Sequence, residues 1–536
     1  MTARVLASCG GVALALLATE PAMARECSDL AAVAVPDLEI TSATLHPAGP
    51  FTLPAELGPA TTAELPSFCR VQGVLRPTAD SHIAFEAWLP AENWKGSFQG
   101  VGNGGFAGSI PLSGLASALR SGHAAAASDT GHNQGGTDAS WARGHPEKVV
   151  DFGWRAVHLT AVAGKALAAA YYGTAPRKSY FVSCSNGGRQ GLMEAQRFPD
   201  DYDGIIAGAP AYNWTRLFTG FVWNAKSLAQ PGASIPAAKT PAIASAVLAQ
   251  CDRIDGLADG LLGDPRKCRF DPAVLRCTTG ETNSCLTDPQ IASLRAIYQG
   301  PQKPDGTQIY FGFPPGGEAA PGSPGWDLWI FGAGPGASIQ NAFGSNFVRY
   351  VYGAPDDWTP ATFDFGRDFD LLEARTASTF NATDPDLSRF AARGGKLILF
   401  HGWSDAAIPA QGTLAYRDAV VEEMGADKAA SFLRTFMVPG MHHCAGGAGP
   451  SDFGQGGPSP ENDDPATSLT AALQAWVEEG RAPEQVIARQ TPVPGARPDQ
   501  AVRTGLLCAY PQQAQLTPGG DPLRAESYVC RAPQSE

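Results

Sequence analysis

Ser185 lies in the run Ser183-Cys184-Ser185-Asn186-Gly187-Gly188, just after the apolar stretch Tyr180-Phe181-Val182 and just before a stretch of helical pattern. A serine on a sharp strand-to-helix turn, flanked by small residues, presents its hydroxyl as a nucleophile, the context of a G-x-S-x-G elbow. Ser183 stands where that pattern has its first glycine, and a small residue suits the turn. A serine hydroxyl is a weak nucleophile until a base takes its proton and an acid orients the base. Downstream, the apolar run Lys396 to Phe400 leads into His401-Gly402-Trp403-Ser404-Asp405. A second apolar run leads into Val438-Pro439-Gly440-Met441-His442-His443-Cys444. Ser185, Asp405 and His443 are therefore the candidate nucleophile, acid and base.

The cysteines sharpen the choice of histidine. Cys184 immediately precedes Ser185, and Cys444 immediately follows His443. If serine and histidine meet within hydrogen-bond reach, their neighbours come close enough to bridge. A Cys184–Cys444 disulfide would tie the nucleophile loop to the base loop and favours His443 over His442. The developing oxyanion of acyl transfer needs two donors. The backbone N–H of Asn186, the residue after the nucleophile, is one. The glycine-rich loop Gly102-Asn103-Gly104-Gly105 is the candidate source of the other.

Elements that place such loops are legible from the apolar pattern. Short apolar runs at Ala84 to Leu89, Ser97 to Val101, Tyr180 to Val182 and Gly204 to Ile206 alternate with helical stretches around Val157 to Tyr172 and Gly188 to Arg197. Such alternation predicts a mostly parallel sheet. The rhythm stops between Tyr212 and about Ser388, in a region rich in aromatics, Gly and Pro, and resumes with the strand at Lys396 to Phe400 and a helix near Pro465 to Glu479. The expected organisation is a sheet domain in two parts, residues 25–211 and 389–536, interrupted by an inserted lid domain over 212–388. The chain order serine, aspartate, histidine is that of α/β-hydrolases.

With 536 residues, 44 % of them hydrophobic, the chain exceeds one ordinary domain yet can bury a large core. Its 61 glycines and 44 prolines predict many structured loops. Met1 to Arg4, the apolar stretch Val5 to Leu17 and Ala22-Met23-Ala24 have the layout of a secretory signal, so residues 1–24 are read as a leader and the mature protein as secreted or periplasmic. Cys9 precedes most of the apolar stretch, which disfavours lipid attachment there. No later segment has the run of about 20 apolar residues that a membrane span needs. Of the 11 cysteines, Cys9 falls in the leader, and the even remainder in an exported chain reads as a disulfide set. Without a CxxC pair, thiolate–zinc ligation is disfavoured. A net charge of −13 argues against nucleic acid and anionic membranes as partners.

SCSNGGRQG with RFPDDYDGIIAGAPA, CDRIDGLADGLL, LILFHGWSDAAI and VPGMHHCAGG, in this order, resemble the tannase and feruloyl esterase family, which includes mono(hydroxyethyl) terephthalate hydrolases. The resemblance runs from about Cys27 to Cys530. It implies an α/β-hydrolase fold with Ser185 as nucleophile, Asp405 as acid, His443 as base and Cys184 bridged to Cys444. It also points to Gly104 as the second oxyanion donor. Familiar members have glycine at the position of Ser183.

Three carboxylates crowd into the segment from Cys251 to Leu261. Spacing alone reads as a solvated acidic turn, since the pattern is not that of an EF-hand. The resemblance instead implies a structural Ca2+ held by the side chains of Asp252, Asp255 and Asp259 and the carbonyls of Leu257 and Leu261, with Cys251 and Cys268 closing the loop. The remaining cysteines are expected to pair with sequence neighbours: Cys27 with Cys69, Cys277 with Cys285, Cys508 with Cys530. The expected activity is hydrolysis of small aromatic esters, feruloyl-type first, with galloyl esters and terephthalate monoesters as rivals. A catalytically silent polyphenol-binding protein is the alternative of another class, disfavoured because all three triad positions are filled. A metallohydrolase using the acidic loop is disfavoured because the motif has no histidine. Among the lid aromatics, such as Trp214, Phe218, Trp329 and Phe343, those lining a pocket are not separable by pattern. Arg349 is a candidate partner for a substrate carboxylate.

Overall fold

The computed structural model describes residues 25–53, 60–319, 325–490 and 502–533; the leader read at 1–24 lies outside them. Nine strands form the central sheet: β1 (Leu38–His46), β2 (Phe68–Leu75), β3 (Ile83–Pro90), β4 (Ser97–Val101), β5 (Ala124–Ser128), β6 (Lys178–Cys184), β7 (Gly204–Gly208), β8 (Lys396–Gly402) and β9 (Leu433–Val438). Their spatial order is β1-β2-β3-β5-β4-β6-β7-β8-β9. The pairings from β5 through β4, β6, β7 and β8 to β9 are all parallel. On the other side, β1, β2, β3 and β5 pair antiparallel. The sheet is thus mixed, an α/β-hydrolase architecture: of the runs that alternation marks, those at Ser97, Tyr180, Gly204 and Lys396 lie in the parallel half, whereas Ala84 to Leu89, in β3, pairs antiparallel on both sides, and β5 has no counterpart in that pattern. The strands ahead of Ile83 escape that pattern because they follow one another without intervening helices, and β1 has no fully buried residue.

Helices α1 (Ala156–Tyr172), α2 (Asn186–Arg197), α3 (Trp214–Leu228), α4 (Ile339–Asn346), α5 (Arg367–Phe380), α6 (Gln411–Met424) and α7 (Leu469–Glu479) position the loops discussed below. Period-2 alternation in β8 shows how the sheet is buried twice over. Leu397 and Leu399 enter the large core shared with Leu167 of α1 and Leu192 of α2. Ile398 and Phe400 face the other way, against Leu469, Leu473 and Trp476 of α7. Each such fully buried side chain contributes about 2 kcal/mol. A Cβ on Gly188 would stand 2.3 Å from the Gly208 carbonyl oxygen, so glycine lets α2 lie close against β7.

Between β7 and β8 the chain leaves the sheet and returns. The aromatic core of this insertion is continuous with that of the sheet: Trp214, Phe218 and Phe221 of α3 and Phe343 of α4 cluster with Phe106, Phe152 and Phe380. Trp214 stacks on Phe218 at 4.4 Å between ring centroids. Offset and edge contacts of this kind add to the area they bury. Five disulfides join Cys27–Cys69, Cys184–Cys444, Cys251–Cys268, Cys277–Cys285 and Cys508–Cys530, the pairing expected from the sequence. Among the described residues no helix is long and apolar enough to cross a membrane.

Candidate active site

The loops after β4, β6, β8 and β9 all leave the carboxyl ends of parallel strands, where open α/β sheets place their ligands. Ser185 ends the strand-to-helix turn between β6 and α2 with φ 67° and ψ −126°. For a residue with a side chain this is a strained backbone, held by its surroundings. The Ser185 N–H donates to the Gly208 carbonyl at 2.9 Å, and its carbonyl accepts from Arg189 at 3.1 Å and Ala211 at 3.2 Å. Room for the turn comes from small neighbours: a Cβ on Gly187 would stand 1.8 Å from Ser183 Oγ. Gly187 thus accommodates the serine that replaces the first glycine of the elbow.

Asp405, in the loop after β8, is buried. Its Oδ1 accepts the backbone N–H of Ala407 at 2.7 Å and of Ile408 at 2.9 Å. Its Oδ2 accepts from His443 Nδ1 at 2.7 Å and His401 Nε2 at 3.1 Å. Burial pushes the Asp405 carboxyl up, but the charge and N–H of His443 and the N–H of His401 outweigh it and hold the group well below the usual carboxylate range. The Cys184–Cys444 bridge, with Cα atoms 6.0 Å apart, fastens the loop of Ser185 to the loop of His443. Of the two adjacent histidines, His443 therefore carries the contact to Asp405, while the His442 backbone N–H donates to Gly446.

Asn186 opens α2, so its N–H is among the four that a helix leaves without an internal acceptor. Its side-chain Oδ1 is taken by Arg189 Nε at 2.8 Å. The glycine-rich loop is hung from the same helix: Asn103 N–H donates to Gln190 Oε1 at 2.9 Å, and Asn103 Nδ2 donates to the carbonyls of Ser109 and Ser128. Gly104 in this loop is exposed. Proton transfer and oxyanion stabilisation are the chemistry that these groups together can perform.

Three contacts have no local signature in the sequence. Trp329, from the insertion, places its ring 5.5 Å from that of His443 and stacks on Phe343. Arg189 is buried and, among the described residues, pairs with no carboxylate: it donates to the carbonyls of Gly153 at 2.7 Å, Phe380 at 3.2 Å and Phe152 at 3.3 Å, and its guanidinium lies over the Trp214 ring. Burial pulls its pKa down to about 9. His401 is the third. Arg349, a candidate for a substrate carboxylate, instead donates to the Trp358 carbonyl at 3.0 and 3.3 Å, nine residues along its own segment.

In the acidic loop, backbone N–H groups take up the carboxylates. Asp252 Oδ1 accepts from Asp259 and Gly260, Asp255 from Leu257 and Gly263, and Asp259 from Leu261 and from the guanidinium of Arg503. Burial and then the charges of Asp259 and Asp252 raise the Asp255 carboxyl, against the pull of its two backbone donors. Three carboxylates in one loop are hard oxygen donors of the type calcium takes, with one of them, Asp259, already paired with Arg503. A cavity of about 820 Å3 lies beside this loop, lined also by Trp403, Met437, Arg503 and Tyr528, and Ser185 and His443 are not on its walls. Elsewhere, His158, Glu194 and Asp201 bring ligand-type atoms within 4.8 Å of one another. There Asp201 already accepts from His158 Nδ1 at 2.6 Å and Lys165 Nζ at 3.1 Å. Burial, and then the charge of Asp201, pushes the Glu194 carboxyl well up, and the cluster has a cation of its own in Lys165.

The profile of the family described as "Tannase and feruloyl esterase" matches residues 69–531. An esterase of Xanthomonas campestris, described as uncharacterized, is 44 % identical over 98 % of this chain and 94 % of its own length. Mono(2-hydroxyethyl) terephthalate hydrolase of Piscinibacter sakaiensis is 34 % identical over 88 % of this chain and 86 % of its own length. Among solved structures, feruloyl esterase B of Aspergillus oryzae superposes with a TM-score of 0.84 at 29 % identity, covering 94 % of this chain and 99 % of that one.

Proposed function

Since the chain belongs to the tannase and feruloyl esterase family of carboxylic ester hydrolases, we propose that it cleaves esters of aromatic acids, feruloyl-type first, through an acyl-enzyme on Ser185. The observation that carries this reading is the strained turn at Ser185, disulfide-linked to the loop whose His443 contacts buried Asp405. His443 takes the Ser185 proton as Oγ bonds to the ester carbonyl carbon. The N–H groups of Asn186 and Gly104 receive the oxyanion, and Asp405 orients and stabilises the imidazolium. Collapse of the tetrahedral adduct transfers that proton to the departing alcohol and leaves acyl-Ser185. Water then attacks the acyl carbon with His443 as base, and as the second adduct collapses His443 returns that proton to Ser185 Oγ, so that the carboxylic acid departs and the free serine is regenerated.

An aromatic acyl group is favoured by Trp329 beside His443 and by Phe343 stacked on Trp329. Residues 212–388 serve as the lid that carries these rings over the serine. Asp252, Asp255 and Asp259 by side chain and Leu257 and Leu261 by carbonyl would hold calcium, which would offset the negative charge of the acidic loop in a structural role. Export through the leader at 1–24 supplies the oxidising compartment in which the five disulfides form. The test is kcat/KM on methyl ferulate, methyl gallate and mono(2-hydroxyethyl) terephthalate. A preference for methyl ferulate is expected. Preference for either of the others reassigns the substrate, and no turnover of any, with measurable polyphenol binding, overturns the catalytic reading.

A further inference from the structure

His401 is the last residue but one of β8, and its side chain is fully buried. Its Nε2 faces two acceptors, Asp405 Oδ2 and the Ile408 carbonyl, each at 3.1 Å. With Asp405 ionised, neither can donate, so Nε2 carries the proton. On the other side of the ring, Nδ1 meets Thr413 Oγ1 at 2.7 Å. A neutral imidazole with the proton on Nε2 accepts there from the hydroxyl, which satisfies all four groups. The ring therefore ties the end of β8 to the turn at Ile408 and to the first turn of α6, which begins at Gln411.

We propose that His401 is a positioning residue for ester hydrolysis, its Nε2–H holding Oδ2 of Asp405 in the orientation that receives His443. This rests on the proposed triad. With Ala407, Ile408, His443 and His401 all donating, Asp405 has a donor for each of its lone-pair directions and does not turn about its Cβ–Cγ bond. Without His401, Oδ2 keeps His443 as its one donor among these four. The histidine also draws charge from the carboxylate, so its removal leaves more negative charge facing the imidazolium of His443. The titratable groups that bear on Asp405 are these two histidines.

Two variants separate positioning from packing. In His401→Gln the side-chain amide nitrogen takes the place of Nε2 and donates to Asp405; in His401→Asn the shorter amide stays polar but falls short of it. H401N is expected to lose about 10- to 100-fold in kcat with KM nearly unchanged, the weight of one hydrogen bond to a charged group. Its acidic limb of kcat/KM should move up by about half a pH unit, because the imidazolium is held more firmly. H401Q should recover most of kcat and leave the limb in place. Equal losses in H401N and H401Q with an unmoved limb overturn the proposal. Should H401N fail to fold, H401Q decides alone: a kcat down 10-fold or more in folded H401Q overturns it. Ser185→Ala is assayed alongside: activity surviving there removes the triad itself, whereas an inactive S185A with indistinguishable His401 variants removes only the role of His401.

Discussion

Cys184 and Cys444 are 260 positions apart in sequence and 6.0 Å apart at their Cα atoms, each the immediate neighbour of a residue of the site. Closing so long a loop removes chain entropy from the unfolded state, worth about 5–6 kcal/mol in the loop-closure model. The double variant Cys184→Ala/Cys444→Ala should lose stability of that order in urea titrations and lose kcat in greater proportion than it gains KM. Non-reducing peptide mapping of the wild type should recover the two cysteines in one linked species. A link from Cys184 to any other cysteine would contradict the fold described.

Ser185→Ala should lower kcat by on the order of 10⁶ and leave the far-UV circular dichroism unchanged. Ser185→Gly should be equally inactive but more stable than Ser185→Ala by about 1 kcal/mol, because glycine adopts φ 67° without strain. Equal melting temperatures of the two variants would mean that the turn stores no strain. Ser183→Ala should remain active.

Burial pushes the Asp129 carboxyl up to about 7, even though it accepts N–H groups of Gly131 and Ala84. A carboxyl whose folded-state value lies above its unfolded one contributes stability below about pH 4 and loses it as pH rises through about 7. Asp129→Asn keeps the acceptor oxygen and cannot ionise. The stability of the variant relative to wild type should therefore grow by on the order of 2 kcal/mol between pH 5 and pH 8. Histidines titrate alike in both proteins and cancel from the difference. A gap that does not change with pH would place Asp129 in water.

Calcium in the acidic loop should raise the melting temperature by mass action, since it binds the folded state. Extensively dialysed protein should retain the metal by mass spectrometry, melt lower in chelator and recover with calcium but not zinc. Asp255→Asn should weaken binding. Metal-free protein with the same melt in chelator would leave a loop satisfied by its own backbone and Arg503.

Arg189→Met should destabilise by about 3 kcal/mol, because it strips donors from the buried carbonyls of Gly153 and Phe380. Urea midpoints measure it. A loss below about 1 kcal/mol would mean that water replaces the guanidinium at little cost.

Legibility from sequence follows the range of each interaction. The parallel strands at Ser97, Lys178, Gly204 and Lys396, the helix after Ser185 and the loops ending in Asp405 and His443 rest on periods and spacings of a few residues, and the structure has them where the pattern puts them; β5, four alanines and a serine, carries no strand signal because alanine has little strand preference. The Cys184–Cys444 bridge was readable because each cysteine is next to a chemically marked residue. Arg189 and Trp329 were not, because their partners at Phe380 and His443 lie more than a hundred residues away and leave no local trace. His401 was hidden differently. It continues an apolar strand into a glycine turn, and its partner Thr413 lies in a helix where a threonine draws no notice. The strands ahead of Ile83 were missed because a reading built on strand–helix alternation does not register consecutive antiparallel strands.

The hydroxyl of Ser183 occupies the space that a methyl group on Gly187 would need, 1.8 Å from where that carbon would sit. Positions 183 and 187 are therefore contingent on one another: one of them can bear a side chain, but not both. An ancestor with glycine at both could acquire the serine in one step. Once acquired, that serine closes the route to alanine at 187 until it is itself reversed. A Gly187→Ala change should be lethal to the elbow in this chain and mild in a background carrying Ser183→Gly, so the order of substitutions, and not only their identity, decides which elbows lineages of this fold can reach.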